Sequence, residues 1–316
     1  MERDEFEHGN ERGARVSRFF EILRKSQELA DDLHDGDLQS IPIEGELEDP
    51  IEKDPENVIK SYDPSQIPVQ NVQIQPASRM VFDAGAMSPG ADRFRFLRLR
   101  LGELWTTRKL RTLLITSPLP GDGKSTIAMN LATTLAEHGQ RPVLLIEADL
   151  HHPTLTHQLG IEAGHGLAEC LQDGLSPLSA VRRLEPLGWY LLSSGKPGTH
   201  PTELLLSEAL PGVMQELSPY FDWVLIDSPP VIPLTDALSL GRQADASLVV
   251  VWAGRTPREA VEQTVNLLGP KHVLGILLNG VEGLHKLYSK YYGYYDINSS
   301  SRRVRNTPKE KESSQR

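Results

Sequence analysis

The stretch that most limits what this chain can fold into is Thr112-Leu-Leu-Ile-Thr-Ser-Pro-Leu-Pro-Gly-Asp-Gly-Lys-Ser-Thr-Ile-Ala-Met-Asn130. An apolar run, Leu113-Leu114-Ile115, enters a loop holding Gly121 and Gly123. Lys124, Ser125 and Thr126 follow, and Ile127 to Glu137 suits a helix. Strand, glycine loop and helix in that order make a phosphate-binding loop. Glycine lets the backbone curl until its N–H groups point at an anion, and the helix N-terminus adds partial positive charge. In such a loop Pro120, Gly121, Asp122 and Gly123 form the cradle, and Lys124 reaches the β- and γ-phosphates. The Ser125 hydroxyl sits on Mg²⁺, and Thr126 contacts the α-phosphate. The usual pattern opens with Gly; here that position is Pro118.

A phosphate loop needs an acidic residue on a second apolar strand to hold Mg²⁺, directly or through water. Asp222-Trp-Val-Leu-Ile-Asp227-Ser-Pro-Pro230 supplies it, with Asp227 at the strand tip. A third strand, Val143 to Asp149, ends in Glu147 and Asp149. Two residues apart, both are expected on one side of an extended segment, at the edge where open α/β sheets bind ligands. The pair His151-His152 suggests a metal, but adjacent side chains diverge, and the reading is against a histidine site. Asp236, at the start of a helix, either caps it or supports the site.

Further strands are read at Trp189 to Leu192, Ser247 to Trp252 and Val273 to Asn279, and helices at Thr202 to about Leu217 and Arg258 to Leu268. Thr202 is expected to cap its helix. Continuous apolar strands alternating with helices predict an α/β fold, a mostly parallel sheet covered on both faces. Asn279, on the ligand edge, either reads an adenine ring or fixes the next turn.

Residues 91 to 107 predict a helix with Phe94, Leu97, Leu101 and Leu104 along one stripe. Asp92, Arg95 and Arg98 share its outer surface, as a solvated face or a docking edge for a neighbouring subunit. Before it, residues 1 to 16 read as disordered, and 17 to 33 as a short amphipathic helix, with or without a partner. Residues 35 to 90 read as an extended linker carrying Pro42, Pro50, Pro55, Pro64, Pro68, Pro76 and Pro89. The expected domains are thus an N-terminal segment and linker over 1–90, a nucleotide-binding domain over 91–284 and a tail over 285–316. Within the tail, Tyr288, Tyr291, Tyr292, Tyr294 and Tyr295 are five of the chain's eight tyrosines. Clustered beyond the last strand, they read as a phosphoacceptor segment or as an aromatic patch.

Composition narrows the partners. A formal net charge of -10 argues against nucleic acid. Cys170 is the only cysteine, so no intrachain disulfide forms and a reducing compartment is expected. Its apolar neighbours mark it as a core residue. No run approaches the roughly 18 apolar residues of a membrane span, and no apolar signal segment opens the chain, so a cytoplasmic location is expected.

Together these motifs resemble the bacterial tyrosine kinases of capsule and exopolysaccharide synthesis, from about residue 91 to 296. The family's loop is matched by Pro120-Gly121-Asp122-Gly123-Lys124-Ser125, and its Asp-x-Asp strand end by Glu147-Ala-Asp149-Leu-His-His-Pro153. Glu therefore stands for the first Asp, and histidines stand for arginines. Asp227-Ser-Pro229-Pro230 matches the third motif, and His200-Pro201-Thr-Glu203-Leu204-Leu205 a further loop, with His for Asn. Asp92-x-x-Arg95-x-x-Arg98 resembles the family's subunit-contact helix. The resemblance implies MgATP-dependent autophosphorylation, with Lys124, Asp149 and Asp227 catalytic and Ser125, Asp149 and Asp227 around Mg²⁺. It further implies a homo-oligomeric ring in which each subunit presents tail tyrosines to its neighbour. The absence of a span resembles the split form, held peripherally at the inner face of the cell membrane by a separate membrane-anchored chain-length or activator protein.

Overall fold

The computed structural model describes residues 67–74, 79–81, 89–137, 139–162 and 164–281. The helix expected at 17–33 and the Tyr288–Tyr295 cluster lie outside them. Eight strands form one sheet: β1 (Val69–Asn71), β2 (Thr112–Thr116), β3 (Val143–Glu147), β4 (Arg182–Glu185), β5 (Trp189–Leu192), β6 (Trp223–Asp227), β7 (Ala246–Trp252) and β8 (Val273–Asn279). Their spatial order is β1-β4-β5-β3-β6-β2-β7-β8. All neighbours are parallel except β4 and β5, which form an antiparallel pair.

The helices are α1 (Pro89–Arg108), α2 (Lys124–Ala136), α3 (Leu155–Gln158), α4 (Leu167–Gln172), α5 (Pro177–Ala180), α6 (Pro201–Leu205), α7 (Ala209–Leu217), α8 (Asp236–Gly241) and α9 (Arg258–Leu268). The central strands are apolar without interruption because both faces are covered. Leu113 and Ile115 of β2, Leu145 of β3 and Leu225 of β6 join the core beneath α1 and α2. Leu114, Leu144, Ile146, Val224 and Ile226, one residue out of step, join the second core with α4 and α7. Each such side chain taken fully out of water contributes roughly 1.5–3 kcal/mol. Leu101 of α1 is fully buried, and Phe94, Leu97 and Leu104 pack partly against the same core, as the stripe predicts.

Three differences from the sequence reading have physical causes. First, β1 comes from the stretch read as linker. Its polar sequence Val-Gln-Asn hides a strand that, among the described residues, pairs along one edge, with β4. The apolar anchors are the flanking Ile67 and Val72, both buried. Second, β4, Arg-Arg-Leu-Glu, is not among the strands read from the sequence. It carries one fully buried residue, Leu184, and gains its order from β1 and β5 on either side. Third, the helix from Thr202 to Leu217 is broken between Leu205 and Ala209 into α6 and α7. Its N-cap is His200, so Thr202 is not the cap but lies within α6.

Candidate active site

The parallel register brings three strand ends level. Ile115 of β2 and Glu147 of β3 both pair with Asp227 of β6. From β2 the chain turns through the loop into α2. Gly121 has φ 80° and Gly123 φ 93°, the left-handed region that favours glycine. A Cβ on Gly123 would lie 2.2 Å from Asn279 Nδ2, so the loop also needs the missing side chain for close approach. Gly123 is the N-cap of α2, and no side chain caps the helix or places an acid in its first turn. The first N–H groups of α2 therefore have no intrahelical acceptor and face outward with the positive end of the helix dipole.

Lys124 opens α2, and its ammonium Nζ lies 3.0 Å from Asp149 Oδ2, both side chains largely buried. Burial alone would push the Lys124 pKa down, but the carboxylates of Asp227, Asp149 and Asp122 outweigh it and hold the pKa above the ordinary lysine value. Asp149 Oδ1 accepts the backbone N–H of His152 at 3.0 Å. Asp227 is completely buried, and neither carboxylate oxygen has a hydrogen-bond partner among the described residues. Burial drives its pKa up to about 7, against the opposing pull of the Lys124 charge; the Ser125 hydroxyl lies close enough to add to that pull without meeting hydrogen-bond geometry.

Such an orphaned carboxylate beside a serine hydroxyl fits a hard divalent cation. Mg²⁺ takes one or two protein oxygens and fills its shell with water and substrate phosphate. Among the described residues no group of three His, Cys, Asp or Glu is arranged around a metal. An ion here would accordingly rest on Ser125 and Asp227. Asp149, expected with them, has both oxygens engaged by Lys124 and His152.

Glu147 does something different from its neighbour two residues on. Its Oε1 accepts the N–H groups of Leu155 at 2.6 Å and Thr156 at 3.3 Å, and its Oε2 the Thr156 hydroxyl and the Ser194 N–H. It caps α3 and fixes the end of β5. The two carboxylates, expected on one side, have separate partners: Asp149, beyond the end of β3, meets Lys124 and the His152 N–H instead.

The two histidines diverge. His151 Nε2 lies 2.8 Å from Asp236 Oδ2 and 3.1 Å from Thr202 Oγ1, while His152 is exposed. Asp236, buried at the first turn of α8, thus ties the loop after β3 to α6. Asn279 donates from Nδ2 to the Asp122 carbonyl at 2.9 Å, and its Oδ1 accepts the Gly280 N–H. Its amide holds both the phosphate loop and the next turn. Pro120 stands at the start of the cradle, and Thr126 in the first turn of α2. On α1, Arg95 pairs with Asp92 at 2.6 Å, and Arg98 lies 3.7 Å from Glu137 at the end of α2.

The sequence reading missed Trp252, Arg255 and Thr256. Thr256 Oγ1 donates to Asp122 Oδ1 at 2.7 Å, and Arg255 donates to the Gly121 carbonyl. The signal available was position alone: a Gly-Arg-Thr turn directly after an apolar strand, at the ligand edge of a parallel sheet. Cys170 is buried, as expected of a core residue.

Similarity to known proteins agrees with this geometry. The family model ParA, described as the NUBPL iron-transfer P-loop NTPase, matches residues 109–279. Tyrosine-protein kinase YwqD of Bacillus subtilis is 34% identical over 212 residues, covering 66% of this chain and 87% of that protein. The succinoglycan biosynthesis transport protein ExoP of Rhizobium meliloti is 33% identical, and the chain spans about 30% of its length. Among solved structures, the chimerical protein CapA2B2 is 26% identical with a TM-score of 0.61, covering 69% of this chain and 96% of that one. The BceF tyrosine kinase domain is 34% identical with a TM-score of 0.54, covering 60% and 77%. The chain belongs to the bacterial tyrosine-protein kinase family, built on a ParA-type P-loop NTPase domain.

Proposed function

We propose that this protein is a MgATP-dependent protein-tyrosine kinase that phosphorylates its own tail in the control of polysaccharide synthesis and export. The observation that carries the reading is the buried set of Lys124, Asp149 and the unpartnered Asp227 at the mouth of the phosphate loop. Phosphoryl transfer is mostly positioning and charge neutralisation. The N–H groups from Gly121 to Ser125 and the Lys124 ammonium would bind the triphosphate and stabilise charge on the transferring group. Ser125 and Asp227 would hold Mg²⁺, which neutralises phosphate charge when bound.

Lys124 has one ammonium for two tasks. When a triphosphate enters, the ammonium turns to it and releases Asp149 Oδ2, the oxygen it now holds at 3.0 Å. The freed carboxylate orients the incoming tyrosine and takes its phenolic proton, while the tyrosine oxygen bonds to the γ-phosphorus and the bond to the ADP oxygen breaks. A phenol with pKa near 10 needs such a base at neutral pH. Asn279, beside the loop, would adjoin the adenine ring.

Acceptors on this reading are Tyr288, Tyr291, Tyr292, Tyr294 and Tyr295 of a neighbouring subunit, with Asp92, Arg95 and Arg98 at the subunit contact of a ring. The activator would be a membrane-anchored chain-length protein, which would hold the kinase at the inner face of the membrane. Among the described residues no helix is long and apolar enough to cross a membrane.

The test is incubation of purified protein with MgATP, with and without candidate activator tails, followed by mass spectrometry of the tail peptide. Phosphate on the tyrosine cluster, abolished by Lys124→Met, is the expected result. Tyrosine phosphate persisting in Lys124→Met, made in a host without tyrosine kinases, refutes the assignment. ATP hydrolysis with unmodified tyrosines would move the reading to a nucleotide-switch ATPase, the alternative that the ParA match favours.

A further inference from the structure

A cradle whose N–H groups turn inward turns its carbonyls outward, and those carbonyls need partners of their own. The Gly123 carbonyl is met by the Ile127 N–H of α2. Two more are met from outside the loop. Arg255 Nη2 donates to the Gly121 carbonyl, and Asn279 Nδ2 to that of Asp122. The Asp122 side chain, 1% exposed, points outward too. Its Oδ1 accepts the Thr256 hydroxyl at 2.7 Å, with Arg255 Nη2 at 3.4 Å, and its Oδ2 accepts the Leu119 N–H.

The partners are themselves fixed. Thr256 Oγ1 accepts the Trp252 N–H at 3.0 Å while donating to Asp122, so one hydroxyl joins the end of β7 to the phosphate loop. The Arg255 guanidinium lies over the Trp252 ring, 4.6 Å from its centroid. That ring is pressed against Gly280, where an added Cβ would lie 2.5 Å from it. The Ala253 N–H bonds to the Asn279 carbonyl at 2.8 Å, closing the turn onto β8.

We infer that the turn over residues 252–256 is a strap that sets the phosphate loop in its anion-binding shape before nucleotide arrives, with Thr256 and Arg255 as positioning residues. Each acts through Gly121 or Asp122. A loop held in advance loses less freedom on binding, so the strap should act on nucleotide affinity more than on turnover. This inference rests on the nucleotide-site reading above.

Isothermal titration of MgATP into Thr256→Val, Thr256→Ser and the parent tests it. A buried hydrogen bond to a carboxylate is worth about tenfold or more. Thr256→Val should bind MgATP about tenfold more weakly. Thr256→Ser, which keeps the hydroxyl, should recover to within about twofold of the parent. Arg255→Ala, whose side chain is half exposed, should lose about threefold. In steady-state phosphorylation the loss should appear in KM for ATP and not in kcat. Parental affinity in Thr256→Val, an equally weak Thr256→Ser, or a loss confined to kcat would each overturn the strap. Should Thr256→Val fail to fold, undiminished affinity in Arg255→Ala overturns it. A parent that does not bind MgATP refutes the nucleotide reading itself; one that binds without transferring phosphate leaves the strap to be decided by affinity alone.

Discussion

Replacing Asp227 by Asn should make the metal-free protein more stable at pH 8 and, on the proposed function, weaken its response to MgATP. The carboxylate is fully buried, both oxygens are unpartnered, and its pKa rises from 3.8 to about 7, chiefly through burial. The sign follows from proton binding. Between pH 4 and pH 7 the folded protein holds a proton at this site that the unfolded chain has released, so stability falls as pH rises through that window. Above pH 7 the folded state carries the full cost of the buried charge. At 1.36 kcal/mol per pH unit the displacement corresponds to about 4 kcal/mol, a ceiling because local relaxation and water lower it. An Asn amide left without partners returns about 1–3 kcal/mol of that gain. The net expectation at pH 8 is a stabilisation of about 2 kcal/mol, or roughly 4–8 °C in Tm for a domain of this size. At pH 5 the parent is itself neutral at this position, and the gain should vanish or become a small loss. Thermal melts of parent and Asp227→Asn in EDTA at pH 5 and pH 8 measure the difference. MgATP added at pH 8 should then raise the Tm of the parent much more than that of the variant. A variant less stable than the parent at pH 8, or a gain equal at both pH values, refutes the reasoning.

Glu147→Ala should cost about 3 kcal/mol in urea unfolding, because it strands the N–H groups of Leu155, Thr156 and Ser194 in a buried site; an unchanged midpoint would refute the capping role. Cys170 is buried and its thiol pKa is pushed up to about 11, first by burial and then by Glu169 and Glu216. Iodoacetamide at pH 8 should therefore leave the native protein unlabelled and modify it fully in denaturant, and rapid native labelling, read by mass spectrometry, would contradict the placement.

The parts of this fold legible in the sequence are those that enforce themselves locally. A strand covered on both faces must be largely apolar, so β2, β3, β5, β6 and β7 announce themselves; β8, an edge strand with Leu278 exposed, is read from its apolar run alone. β1 and β4 do not, because each carries little apolar surface and is ordered by its neighbours. Ile67, Val72 and Leu184 hold that edge, spaced too widely to form a periodic pattern. At the break in the helix after Leu205, Ser207 turns back to the Leu204 carbonyl, and the Leu205 carbonyl is taken by the Ser239 hydroxyl from 34 residues away.

The site divides along the same line. Gly121, Gly123, Lys124 and Asp227 are readable because each fills a position that phosphate chemistry restricts to one or two residue types. Glu147 and Asp149 were paired by spacing alone, and spacing holds only while the strand lasts. β3 ends at Glu147, two residues before Asp149, and the two carboxylates take separate partners, one to cap α3 and one to meet Lys124. His151 could not be matched to Asp236 or Thr202 from sequence, since 85 and 51 residues separate them. Arg255 and Thr256 lie 134 residues from the loop they fasten. A residue that receives phosphate is therefore legible from its own motif, whereas one that shapes the receiving loop is legible only once the sheet order brings β7 beside β2.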